Sequence, residues 1–170
     1  MNKALFLDRD GVINIEKEYL FKIDDFEFID GIFEVCRYYQ SQNYKIIVVT
    51  NQSGIARGYY SKNDFEKLSQ WMIEKFSKKE IEITHIYHCP HHPDISGKCG
   101  CRKPKPGMLL EAQKNYEIDL AHSIMVGDKE RDIEAGLNAG LKETYLFNSE
   151  KNILESKATK IINKLDDIWK

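Results

Sequence analysis

Short apolar runs without alternation constrain this chain more than any other feature. Residues 4–7, 45–49, 83–88, 123–126 and 144–147 form them, the third being the weakest. A strand with one wet face alternates apolar and polar residues, whereas a strand covered on both faces is apolar throughout. Between the runs lie helical periods. Residues 32–42 carry Val35, Cys36 and Tyr39 on one stripe, and Phe65, Leu68, Met72 and Phe76 step by three, four and four. Ser61 with Asp64 is a near-match to a capping box at the start of that second helix. Pro106 opens a third helix, with Met108, Leu109, Ala112 and Tyr116, and residues 130–140 make a fourth. In the tail, residues 160–162 read as an edge strand before a last short helical turn. Strand–helix alternation of this kind predicts an α/β fold with an open, mostly parallel sheet.

The length of 170 residues, with no internal repeat, low-complexity tract or linker, predicts one domain spanning residues 1–170. Twenty-five basic against 27 acidic residues leave a net charge of −2. That balance offers no basic field for nucleic acid and no polybasic anchor. No apolar run is long enough for a membrane span, and the sequence starts with a strand-like segment rather than a signal peptide. The expectation is therefore a cytoplasmic protein without nucleic-acid or membrane partners, and a monomer. In a reducing compartment three cysteines within residues 89–101 point to metal rather than to disulfides.

Ligands of open α/β sheets sit beyond the carboxyl ends of the strands. Those ends hold Asp8, Thr50, the 88–103 loop and Asp128. Asp8 and Asp10 are spaced so that one carboxylate can attack phosphorus while the other protonates a leaving alcohol and then activates water. A carboxylate approaches a phosphate dianion only where a cation offsets their repulsion, which implies Mg²⁺. Thr50-Asn51-Gln52-Ser53-Gly54 can bind phosphoryl oxygens through a hydroxyl and backbone amides, or be a glycine turn with local hydrogen bonds. Arg102 and Lys103 are either anion ligands or a solvated basic loop. Asp128 is placed as a metal ligand. Asp132, one turn on, is open between ligand, orienting group and helix-start charge.

Cys89-Pro90-His91 and Cys99-Gly100-Cys101 supply three sulfurs and one imidazole across a short loop. Four protein ligands fill a tetrahedral site and leave no open position, so the reading is structural Zn²⁺, with His92 as the substitute for His91. His85, His88 and His122 have no partner in the sequence and read as structural, and Cys36 reads as core.

Asp8-x-Asp10-Gly11-Val12, Thr50-Asn51-Gln52, Lys103-Pro104 and Gly127-Asp128-x-x-x-Asp132, in this order at strand ends, resemble the haloacid dehalogenase (HAD) phosphatases. Within them the chain is similar to the heptose 1,7-bisphosphate 7-phosphatases, through residues 26–31, 50–58, 89–93 and 101–104. The similarity extends from Met1 to about Phe147, and the histidinol-phosphate phosphatases share the cysteine loop. The resemblance implies a three-layer Rossmannoid fold with no large cap domain and a zinc-stapled loop beside the active site. It implies Asp8 as nucleophile, Asp10 as general acid/base, and Thr50 and Lys103 as the groups holding the transferring phosphoryl. Mg²⁺ would be held by Asp8, the Asp10 carbonyl and Asp128, and Zn²⁺ by Cys89, His91, Cys99 and Cys101. The small sugar-phosphate substrate would meet Glu16, Lys17, Glu18, Tyr19, Asn51, Gln52, Ser53, Arg102 and Lys129. The stretch between His91 and Cys99 is shorter than expected of many heptose enzymes, a departure that bears on substrate or anomer preference. The competing readings are a histidinol-phosphate phosphatase and, in another class, a zinc-binding interaction module with a vestigial site.

Overall fold

The computed structural model describes residues 1–170. All five predicted strands are present and the tail adds the sixth: β1 (Lys3–Leu7), β2 (Tyr44–Asn51), β3 (Ile83–Cys89), β4 (Ile124–Gly127), β5 (Glu143–Phe147) and β6 (Lys160–Ile162). The helices are α1 (Ile32–Ser41), α2 (Lys62–Ser77), α3 (Gly107–Tyr116) and α4 (Glu130–Ala139), with a closing 3₁₀ turn at Leu165–Trp169. Every pairing in the sheet is parallel, in the order β3-β2-β1-β4-β5-β6. The chain winds outward from β1 to β3, then returns to β4 on the other side of β1. Strand order reverses between β1 and β4, and a crevice for ligand opens at the carboxyl ends of those two strands.

The continuous apolar runs are explained by layers on both faces. Leu5, Leu7, Ile46, Val48, Ile124 and Val126 point to the side covered by α1, α2 and the closing turn, where Cys36 is fully buried as expected. Ala4, Phe6, Ile47, Val49 and Met125 point to the side covered by α3 and α4. Local signals fix the helix ends. Ser61 accepts from the Asp64 N–H at 3.0 Å while Asp64 accepts from the Ser61 N–H at 2.9 Å, a complete capping box that starts α2. Gly140 ends α4 at φ 98°, a left-handed conformation that a side chain would disfavour. Residues 8–31 after β1 and 52–61 after β2 are loops and short turns, so no cap domain stands over the crevice. No helix is long and apolar enough to cross a membrane.

Candidate active site

The crevice between β1 and β4 concentrates charge. Asp8 leaves the end of β1 with its N–H donating to the Val126 carbonyl at 3.1 Å, which ties it to β4. Asp8, Asp128 and Asp132 place carboxylate oxygens within 4.8 Å of one another. Lys103 enters from across the sheet, 1% exposed, and its Nζ donates to Asp8 Oδ1 at 2.9 Å and the Val49 carbonyl at 2.8 Å, and lies 2.7 Å from Asp132 Oδ1. Burial works against that ammonium, but Asp132 and Asp8 outweigh it and hold Lys103 above its ordinary pKa. Burial, then Asp132, pushes the Asp8 carboxyl well above the carboxylate range, with Lys103 opposing and Asp128 adding to the rise.

Asp132 is fully buried and performs two of the roles its sequence position left open. Its Oδ2 accepts from the Lys129 N–H at 3.0 Å, capping α4, and its Oδ1 orients Lys103. Only a glycine fits opposite, since a Cβ on Gly127 would lie 2.1 Å from Asp132 Cβ.

Asp10 stands apart from this cluster. Its carboxylate turns toward Arg9, Asn14 and Gln52. Arg9 is 1% exposed although charged; its Nε and Nη2 donate to Asp10 and Nη2 to the Leu20 carbonyl, while Nη1 is buried without a partner. Asn51, at the end of β2, clamps the next loop. Its amide donates to the Lys103 carbonyl at 3.1 Å, and its Oδ1 accepts from the Lys103 N–H at 3.0 Å. Gln52 is 3% exposed and donates to Thr50 Oγ1 at 2.9 Å as well as to Asp10.

A cavity of about 450 Å³ opens above these groups, and only three of its 16 lining residues are hydrophobic. Its walls include Glu16, Glu18, Tyr19, Ser53, Arg102 and Lys129, as expected, together with Asn51, Gln52 and Lys103. Lys17 is the exception among the four residues expected at 16–19. Its ammonium turns away to the Asp25 carbonyl at 2.7 Å and Glu27 at 3.0 Å. Burial, then the charges of Asp10 and Asp128, pushes the Glu16 carboxyl up to about 7. Arg57, Tyr60 and Arg131 also line the cavity; none is singled out as a site residue by the sequence, although Arg57 lies within the 50–58 stretch. Arg57 follows a glycine turn, and Arg131 sits in the first turn of α4; spacing alone does not say which way such side chains point.

The cysteine loop borders this cavity through Arg102. Cys89, Cys99 and Cys101 converge, with sulfurs 2.7 Å apart for Cys89 and Cys101 and 3.5 Å for each to Cys99. The converged sulfurs do not include a ring nitrogen of His91, whose carbonyl accepts from Arg102 at 3.3 Å. His92 is engaged in its own turn, accepting from the Asp94 N–H at 3.2 Å. Burial alone would raise the Cys99 thiol, but the Arg102 N–H and the neighbouring thiols bring it below its ordinary pKa. Three soft donors in contact suit Zn²⁺. His85 and His122 each make a hydrogen bond outside the cavity, to Tyr116 at 3.2 Å and Asp119 at 2.8 Å, and His88 lies against the Phe65 ring.

A family model described as HAD-hydrolase-like matches residues 100–167. The D-glycero-α-D-manno-heptose-1,7-bisphosphate 7-phosphatase of Campylobacter jejuni is 56% identical over 88% of this chain and 84% of its own. The D-glycero-β-D-manno-heptose-1,7-bisphosphate 7-phosphatase of Helicobacter pylori is 51% identical over 86% of this chain and 84% of its own. The chain belongs to the HAD-like phosphatase family that contains these enzymes. A crystal structure of D,D-heptose 1,7-bisphosphate phosphatase from B. bronchiseptica, complexed with magnesium and phosphate, superposes with a TM-score of 0.83. It is 28% identical, and the match covers 96% of this chain and 93% of that one.

The charge balance of this HAD-like site has its own implication. Three clustered carboxylates face one buried ammonium, with the half-exposed Lys129 3.5 Å from Asp128 Oδ2, and Asp128 Oδ1 is buried without a hydrogen-bond partner. An all-oxygen donor set with excess negative charge fits Mg²⁺. Gly11 leaves room for the Asp128 carboxylate: a Cβ there, at φ 89°, would lie 2.2 Å from Asp128 Oδ2.

Proposed function

We propose that the chain, acting as one domain over residues 1–170, removes the 7-phosphate of a D-glycero-D-manno-heptose 1,7-bisphosphate and leaves heptose 1-phosphate. The observation that carries this is the sign of the cavity around the reacting cluster. Arg57, Arg102, Lys129 and Arg131 outnumber Glu16 and Glu18 around a pocket whose floor holds Asp8, Asp10 and Lys103. One phosphate at Asp8 does not need four further cations, whereas a second phosphate on the same small sugar does. Histidinol phosphate carries an ammonium in its place, which these four cations would repel and only Glu16 and Glu18 of the wall would attract. The names of the relatives support the same substrate class.

The placements support the following chemistry. Asp8 attacks the phosphorus in line, and the bond to the sugar oxygen breaks as an aspartyl-phosphate forms on Asp8. Lys103, held by Asp132, stabilises the equatorial oxygens together with the Thr50 hydroxyl. Asp10 delivers its proton to the departing C7 oxygen, then takes one from the water that attacks the phosphoaspartate and releases phosphate. Asp8, the Asp10 carbonyl and Asp128 would hold Mg²⁺, which when bound supplies the charge compensation that two anions need in order to meet. Cys89, His91, Cys99 and Cys101 would hold Zn²⁺, fixing the loop that delivers Arg102 and Lys103.

Phosphate release from the α and β heptose 1,7-bisphosphates, beside histidinol phosphate, tests the proposal. The expected result is Mg²⁺-dependent turnover of a heptose bisphosphate with the 1-phosphate retained, and a kcat/KM for histidinol phosphate lower by about 100-fold or more, as loss of a paired charge contact predicts. Faster turnover of histidinol phosphate would replace this reading with the sister activity. No Mg²⁺-dependent turnover of any phosphomonoester would leave a zinc-binding interaction module.

A further inference from the structure

Asp10 is held by a cage whose outer member has no assigned part in the site. Arg9 donates to its carboxylate from Nε at 3.3 Å and from Nη2 at 3.0 and 3.1 Å, and Asn14 Nδ2 donates to Oδ1 at 3.0 Å. Gln52 Nε2 donates to Oδ2 at 3.0 Å, and the other end of the same amide accepts from the Tyr60 hydroxyl. Tyr60 is itself fixed. It is 7% exposed, its ring stacks on Phe21 at 5.4 Å, and it lies where a Cβ on Gly54 would come within 2.2 Å.

An amide side chain has an accepting end and a donating end, and the partner of one end decides what the other presents. With the Tyr60 hydroxyl donating to Oε1, Gln52 must turn Nε2 toward Asp10 and Thr50. A flipped amide would set a carbonyl oxygen against a carboxylate. Burial pushes the Tyr60 phenol up to about 12, so it keeps the proton it donates at neutral pH. The placement also leaves the Asp10 side chain outside the carboxylate cluster, which gathers Asp8, Asp128 and Asp132.

We infer that Tyr60 and Gln52 are positioning residues: Tyr60 sets the amide of Gln52, and Gln52 aims the Asp10 carboxyl at the leaving oxygen. The inference rests on Asp10 being the general acid of the proposed reaction. Gln52, which the sequence suggests as a substrate contact, therefore acts through Asp10.

The test compares leaving groups. An alkoxide leaves only if it is protonated, whereas p-nitrophenolate leaves without help, so the loss of a well-aimed acid is felt with alkyl phosphates alone. The measurement is kcat/KM with Mg²⁺ for a sugar phosphate and for p-nitrophenyl phosphate, in wild type, Tyr60→Phe, Gln52→Leu and Asp10→Asn, with folding checked by near-UV circular dichroism. Tyr60→Phe and Gln52→Leu should lose about 10-fold on the sugar phosphate and less than about 2-fold on the aryl phosphate, a fraction of the loss in Asp10→Asn. Gln52→Leu decides the matter if Tyr60→Phe does not fold. Equal losses on both substrates, or none on either, would overturn the relay while Asp10→Asn still discriminates. If Asp10→Asn itself lost activity equally on both, the assignment of Asp10 as acid would fail instead.

Discussion

Lys103→Met removes one ammonium and keeps most of the side-chain volume, so it isolates the charge at the centre of the site. In the native protein that ammonium lies 2.9 Å from Asp8 and 2.7 Å from Asp132, and is 1% exposed. Removing one partner of a buried ion pair costs about 3–5 kcal/mol, because the remaining charge loses its only compensation. Here two carboxylates lose it together, and Asp128 stands beside them. For a chain of this size each kcal/mol moves Tm by about 2–4 °C, so the metal-free variant should melt roughly 6–20 °C below wild type. The assay is thermal unfolding followed by circular dichroism in chelated buffer, run also on Asp132→Asn and on the double variant. Because the two residues share one contact, the double variant should lose less than the sum of the singles. In parallel kcat should fall by about 100- to 1,000-fold, as for loss of one fixed donor to the transferring group. A Tm within about 2 °C of wild type, or additive losses, would refute the reasoning that Lys103 is held by Asp8 and Asp132.

Three further outcomes follow from the same geometry. Cys99→Ser, or chelation of the proposed zinc, should lower Tm and raise KM through the loop that carries Arg102; unchanged KM after verified metal loss would separate that loop from the site. Gly54→Ala forces a methyl against the Tyr60 ring, which should cost about 1–3 kcal/mol and lower kcat through Gln52; urea unfolding and turnover of the same preparation check both. Burial pushes the Cys36 thiol far above its ordinary pKa, so iodoacetamide at pH 8 should leave Cys36 unmodified in the native protein while Cys99 reacts once zinc is removed, as peptide mass spectrometry would show.

Much of this was legible because a doubly covered strand writes itself as a continuous apolar run, and the residue ending each run is then placed by topology. That reasoning puts Asp8, Thr50 and Asp128 at strand ends, where the structure has them, and the spacing of Cys89, Cys99 and Cys101 anticipates their convergence. Side-chain direction in the loops was not legible. Lys17 and Glu18 are adjacent, yet only Glu18 faces the cavity. Asp132 reads from sequence as a residue at a helix start, and its pairing with Lys103 joins two segments that only the sheet brings together. Tyr60 gives no signal at all, since its part depends on Gln52 having first turned toward Asp10.

The most direct test of the proposed chemistry is to look for the phosphoryl group on Asp8. Asp10→Asn should still allow attack by Asp8 on an activated aryl phosphate but slow the water step, so the covalent form should accumulate. Acid quench followed by peptide mass spectrometry should find one added phosphoryl group on the peptide containing Asp8, and none in Asp8→Asn. Phosphate release with no phosphoryl on Asp8, or with phosphoryl on another residue, would contradict the account.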